Sequence, residues 1–122
     1  MKYTLLIYLD EKAFTAKSKD EQNRVHRACG EWHEELVRNG QAAGCNGLQS
    51  VSTATTVRER DGQVLVTDGP FAETKEMLGG FEMVECRDLD EALAIARRFP
   101  GLAAGCAIEV RPCVPGDVCE AV

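Results

Sequence analysis

Two histidines and one acid are the residues of this chain best suited to moving protons. Asp68 stands in Asp68-Gly69-Pro70-Phe71, directly after a strand-like run, a loop position at which a rigid scaffold commonly displays a functional carboxylate. The same aspartate also suits a turn in which it bonds its own backbone while Gly69 and Pro70 fix the bend, so a structural role competes with the chemical one. His26 and His33 are 7 residues apart on a helical pattern. At about 100° per residue, both fall about 80–100° to one side of the apolar stripe centred near Trp32 and Leu36. That flank suits a pocket rim or a dimer groove. It equally suits an imidazole lying across the core edge with its nitrogens in water. A carboxylate and an imidazole reaching one cavity, about 3 Å or one water apart, would form a general acid–base pair. Asp68, His33 and His26 are therefore the candidate catalytic residues.

Other groups carry weaker signals. Glu73, Lys75 and Glu76 follow the Asp-Gly-Pro-Phe motif and could form a charged lid hinged at Gly79-Gly80, or simply a solvated turn. Arg58 and Arg60 flank Glu59, and Arg24, Arg27, Arg97 and Arg98 are scattered over two helices, so no anion clamp is organised. No glycine-rich loop leads from a strand into a helix, and no nucleotide or other cofactor is expected. The 6 cysteines include no C-x-x-C pair, and Cys113 and Cys119 are the closest, 6 apart. This spacing matches neither a zinc module nor an evident disulfide framework, so no metal site is expected and the cysteines read as buried free thiols.

The elements that must position these groups are legible in part. Tyr3 to Leu9 is apolar on both faces, as expected of a central strand. Ser18 to Glu21 forms a capping box, after which Val25, Ala28, Cys29, Trp32 and Leu36 recur at helical spacing until Asn39-Gly40. Thr53 to Arg60 alternates, Asp61-Gly62 supplies a type I′ turn, and Gln63 to Thr67 returns antiparallel. A polar stretch follows, and Phe81 to Cys86 reads as another strand. Asp88 caps a second helix ended by Pro100-Gly101, and Ala107 to Val114 is the last strand. The pattern is α+β, a ferredoxin-like split βαβ with an extra hairpin arm, an antiparallel sheet and both helices on one face.

Composition bounds the rest. A chain of 122 residues with 44% hydrophobic and 28% charged residues supports one core, expected over residues 1–114 with a tail at 115–122. The net charge of −6 works against nucleic-acid binding. No apolar run is long enough to span a membrane, and Met1-Lys2 enters a strand without a signal-peptide pattern, so a cytoplasmic protein is expected. The first strand has no polar face, which calls for a second covering layer. A homodimer with its open sheet faces stacked is the simplest source.

The segment Asp61 to Gly80, DGQVLVTDGPFAETKEMLGG, resembles the signature of the DGPF branch of the YCII-related bacterial proteins. Similar stretches are KYTLLIYL, EELVRNG, GLQSVSTATTVR, DLDEALAIARRFPG and AIEVRP, leaving only the tail after Val114 outside. The resemblance implies a ferredoxin-like fold assembled as a dimeric α/β barrel. It implies little about activity. The few enzymatic relatives are similar to a dehydrochlorinase that uses a His-Asp pair, which suggests lyase-like acid–base chemistry on a small molecule. Some DGPF proteins look associated with extracytoplasmic-function sigma factors, which suggests a ligand-sensing or partner-binding dimer instead. The family's basic histidine lies near the position held here by Cys29, so that role does not carry over, and His26 and His33 are the substitutes.

Overall fold

The computed structural model describes residues 1–116; the end of the expected tail, with Cys119, lies outside the described residues. The elements are β1 (Lys2–Leu9), α1 (Glu11–Thr15), α2 (Lys19–Arg38), β2 (Ala42–Gly47), β3 (Thr55–Arg60), β4 (Gln63–Asp68), β5 (Met77–Glu85), α3 (Leu89–Arg97) and β6 (Ala107–Pro112). Four strands form an antiparallel sheet in the order β2-β5-β1-β6, and β3 pairs only with β4. This is the ferredoxin-like α+β arrangement, with the hairpin inserted between its second and third strands. β1 is central, as its doubly apolar sequence requires.

Residues two apart along a strand share a face, so Tyr3 and Leu5 of β1 line up with Val84 and Glu82 of β5 and with Pro112 and Val110 of β6. Over this face pack Trp32 and Leu36 of α2 and Ala92, Ile95 and Ala96 of α3. Leu5, Leu36, Ile95 and Val84 are the most completely buried large side chains. Fully burying such a side chain contributes about 1.5–3 kcal/mol. Ser18 caps α2 by accepting from the Glu21 amide at 3.1 Å, and Asp88 caps α3 by accepting from the Glu91 amide at 2.9 Å. The Trp32 indole donates to the Ile95 carbonyl at 3.1 Å and meets Phe99 edge-on with ring centroids 5.0 Å apart, which locks the two helices together.

Three expectations need correction. β2 has no counterpart in the sequence reading: Ala42-Ala43-Gly44-Cys45-Asn46-Gly47 lacks the β-branched and aromatic residues that announce strands, and it is strand only because β5 pairs with it. β5 starts at Met77 rather than Phe81, so Gly79-Gly80 is no hinge. Gly79 is the extra residue of a bulge opposite Ile7 and Tyr8, and a Cβ on Gly80 would lie 2.9 Å from the Asn46 carbonyl oxygen, so glycine is needed for β2 to approach. Finally, the cysteines are not uniformly buried, since Cys45 is exposed and Cys29, Cys106 and Cys113 are only half-buried.

The hairpin turns through Asp61 and Gly62, both at positive φ (52° and 78°), as a type I′ turn requires. It stands clear of the main sheet and exposes Val57, Val64, Leu65 and Val66.

Candidate functional site

A bulge sets up the site. Ala42 pairs with Val84 and Gly44 with Met83, so β2 spends one extra residue there, helped by the positive φ of Gly44 (143°). The extra residue shifts the alternation and brings Cys45 opposite Glu82 on the helix-covered face. α2 crosses above this point. Trp32 is pinned in the core, and the next residue, His33, emerges at the edge of the helix over the same spot.

Nδ1 of His33 lies 2.6 Å from Oε1 of Glu82, and Nε2 lies 3.9 Å from Sγ of Cys45. Exposure rises along the series: Glu82 is 2% exposed, His33 half-buried and Cys45 exposed. The second carboxylate oxygen of Glu82, Oε2, is buried and finds no hydrogen-bond partner among the described residues. A buried carboxylate held by one neutralisable neighbour is costly, and such groups concentrate where they are used. Burial pushes the Glu82 carboxyl above its ordinary range, and the hydrogen bond from His33 opposes that rise. The Cys45 thiol is also pushed up, first by burial of its sulfur and then by the adjacent Glu82. The three side chains place a nitrogen, a sulfur and an oxygen within 4.8 Å of one another, so residues far apart in sequence form a donor set that spacing analysis cannot detect.

All three line a cleft of about 1120 Å³ between the sheet and α2, closed on one side by α1. Small-molecule sites commonly measure about 300–1,000 Å³, so the cleft has ample room for one. Its walls are largely apolar, including Leu9, Phe14, Val25 and Met77. Asp10 caps α1 by accepting from the Ala13 amide at 3.2 Å, and Glu11 accepts from Ser50 Oγ at 2.8 Å and the Val51 amide at 2.9 Å. These contacts tie α1 to the loop after β2 and fix the cleft mouth.

The sequence candidates separate here. His33 and His26 both line the cleft, one of the placements their shared flank left open. His26 is exposed and lies tilted against Phe14, with ring centroids 5.4 Å apart. Asp68 is the last residue of β4, paired with Thr55, exposed, and not among the residues lining the cleft, although Gly69 and Pro70 are. The carboxylate beside a histidine is Glu82 instead. Its signal in the sequence is a lone acid two residues before Val84, on the inward face of an otherwise apolar strand. Cys29 lies at the edge of the core, its thiol pushed up mainly by burial.

The model of the YCII-related domain matches residues 1–115. The chain belongs to the YCII-related family. It is also 42% identical, over 97 residues, to an uncharacterized protein of Rhizobium meliloti (strain 1021), covering 80% of this chain and 78% of that protein. In this YCII-related chain the histidine–carboxylate contact joins α2 to β5, and the Asp-Gly-Pro-Phe turn lies elsewhere on the cleft rim. Among the described residues no helix is long and apolar enough to cross a membrane.

Proposed function

We propose that this YCII-related protein binds a small, largely apolar molecule in the cleft and that His33 exchanges a proton with it. The observation that carries this reading is the 2.6 Å contact between His33 Nδ1 and the buried Glu82 at the floor of a cavity of ligand size. Glu82 holds the Nδ1 proton, which leaves Nε2 as the basic atom facing the cleft. Elimination of the dehydrochlorinase or lyase type is one class of reaction that such a base supports.

The assembly belongs to the same proposal. On the face of the sheet away from the helices, Leu6 pairs with Phe81 and Thr4 with Met83. That half-buried apolar surface, with the exposed valines of the hairpin arm, fits a second copy of the chain stacked sheet to sheet. The exposed arm also favours a second reading, in which the dimer senses a ligand and passes the signal to a partner such as a sigma factor.

Native mass spectrometry of freshly purified protein, followed by a thermal-shift screen of small aromatic and chlorinated aromatic compounds, tests the first reading. A compound that stabilises the wild type and is turned over, with turnover lost in His33→Gln, is the expected result. Binding that survives His33→Gln, with no turnover in either protein, favours the sensing reading.

A further inference from the structure

We propose that Cys45 is a nucleophile, with His33 as its general base and Glu82 as the residue that positions His33. The proposal rests on the proton-transfer reading of His33 and adds the bond that the proton transfer serves. The geometry has the order of a nucleophile–base–orienter triad: sulfur, Nε2, Nδ1, carboxylate, with contacts of 3.9 and 2.6 Å. The sulfur contact is long, as such contacts commonly are before substrate draws the groups together. The burial gradient also fits, because the orienting acid is sealed in the sheet while Cys45 is the exposed member at the cleft.

Cys45 is also distinguished from the other described cysteines. Cys86 is buried and Cys29, Cys106 and Cys113 are half-buried. None of these four is recorded in contact with a histidine nitrogen, whereas Cys45 is. Burial of the sulfur, and after it the adjacent Glu82, raise the Cys45 thiol, so the sulfur keeps its proton at rest and needs a base at the moment of attack.

The substrate class is an activated acyl compound, an ester or thioester whose apolar part suits walls such as Leu9, Phe14 and Met77. Cys45 Sγ bonds to the acyl carbon while its proton passes to His33 Nε2. The carbon–oxygen or carbon–sulfur bond to the leaving group breaks, and the leaving group takes that proton and departs as an alcohol or thiol. Water, giving a proton to His33, then attacks the thioester. The product is a carboxylic acid, and the thiol recovers its proton from His33.

The test uses the full chain with p-nitrophenyl acetate as probe and, in parallel, site-resolved alkylation by iodoacetamide. The expected result is a burst of about one p-nitrophenolate per chain and one acetyl group mapped to Cys45 by peptide mass spectrometry. The burst should vanish in Cys45→Ser and slow by about tenfold or more in His33→Gln. Glu82→Gln separates the triad from a bystander thiol. Removing the carboxylate charge makes a bystander thiol more acidic and speeds its alkylation, whereas a triad thiol, whose base has lost its anionic partner, is alkylated more slowly. Acetylation spread over several residues, equal rates in His33→Gln, or faster alkylation in Glu82→Gln overturns the proposal. So does a stoichiometric divalent metal, found by elemental analysis and lost in Cys45→Ser, because the three donors would then be ligands. If Glu82→Gln does not fold, the His33→Gln comparison decides alone. A Cys45→Ser protein that keeps His33-dependent ligand turnover removes the nucleophile and leaves the proton-transfer reading standing.

Discussion

His33 Nδ1 sits 2.6 Å from Glu82 Oε1, and the two residues come from elements that meet only in the folded chain, the long helix α2 and the sheet strand β5. A carboxylate 2% exposed has little water to solvate its charge, so the imidazole is its principal polar partner. The contact therefore orients the ring and couples the ionisation of Glu82 to its neighbour.

Stability should register that coupling. The carboxyl pKa of Glu82 is raised in the folded state, so the protein binds that proton more tightly folded than unfolded. The stabilisation is fully present below the ordinary carboxylate range and is lost as pH rises through the folded value. Glu82→Gln, which cannot ionise, should lack this dependence. Urea unfolding from about pH 4 to pH 8 should show the wild type losing stability relative to Glu82→Gln as pH rises. Parallel curves would mean that Glu82 is not held in a desolvated site.

Leu36 is 1% exposed, on the buried stripe of α2 one helical turn beyond Trp32. Leu36→Ala should cost about 2–5 kcal/mol in unfolding free energy by denaturant titration. A cost below about 1 kcal/mol would mean that α2 is not the element clamping the core.

Asp68→Asn should leave both stability and ligand response near wild type, within about 0.5 kcal/mol, because the residue is exposed at a hairpin end outside the cleft lining. Melting curves with and without a cleft ligand check this. Loss of the ligand response with stability intact would bring Asp68 into the site.

Sedimentation should give a species of twice the 13.3 kDa chain mass at micromolar concentration. Such an interface should bury about 1,500 Å² or more in total. Val57→Lys with Val66→Lys, two cross-strand neighbours that are 64% and 68% exposed, should shift it toward monomer if the arm takes part. A wild-type monomer under these conditions removes the dimer.

How far the sequence discloses this molecule depends on how local each signal is. Ser18, Asp88 and Asp61-Gly62 act within a few residues, so both main helices and the hairpin were readable from capping and turn chemistry. β2 was not, because its alanines and glycines carry no strand preference and its only cause is the neighbouring β5. The site divides the same way. Periodicity puts His33 on a flank of α2 beside the buried stripe, a position open to a cleft rim and to a solvated edge alike. Cys45 was hidden by the bulge at Ala42 and Gly44, which reverses the face that simple alternation would give it. Glu82 was hidden because its partner lies 49 positions away, and no spacing rule connects α2 to β5.

The tautomer of His33 tests the central claim most directly. A long-range proton–nitrogen NMR spectrum of nitrogen-15 histidine-labelled protein reads which ring nitrogen carries the proton. Glu82 accepting from Nδ1 predicts the Nδ1–H form for His33, with Nε2 bare toward the cleft, and reversion toward a mixture or the Nε2–H form in Glu82→Ala. Wild-type His33 in the Nε2–H form would contradict the account, because the nitrogen facing the cleft could then accept no proton.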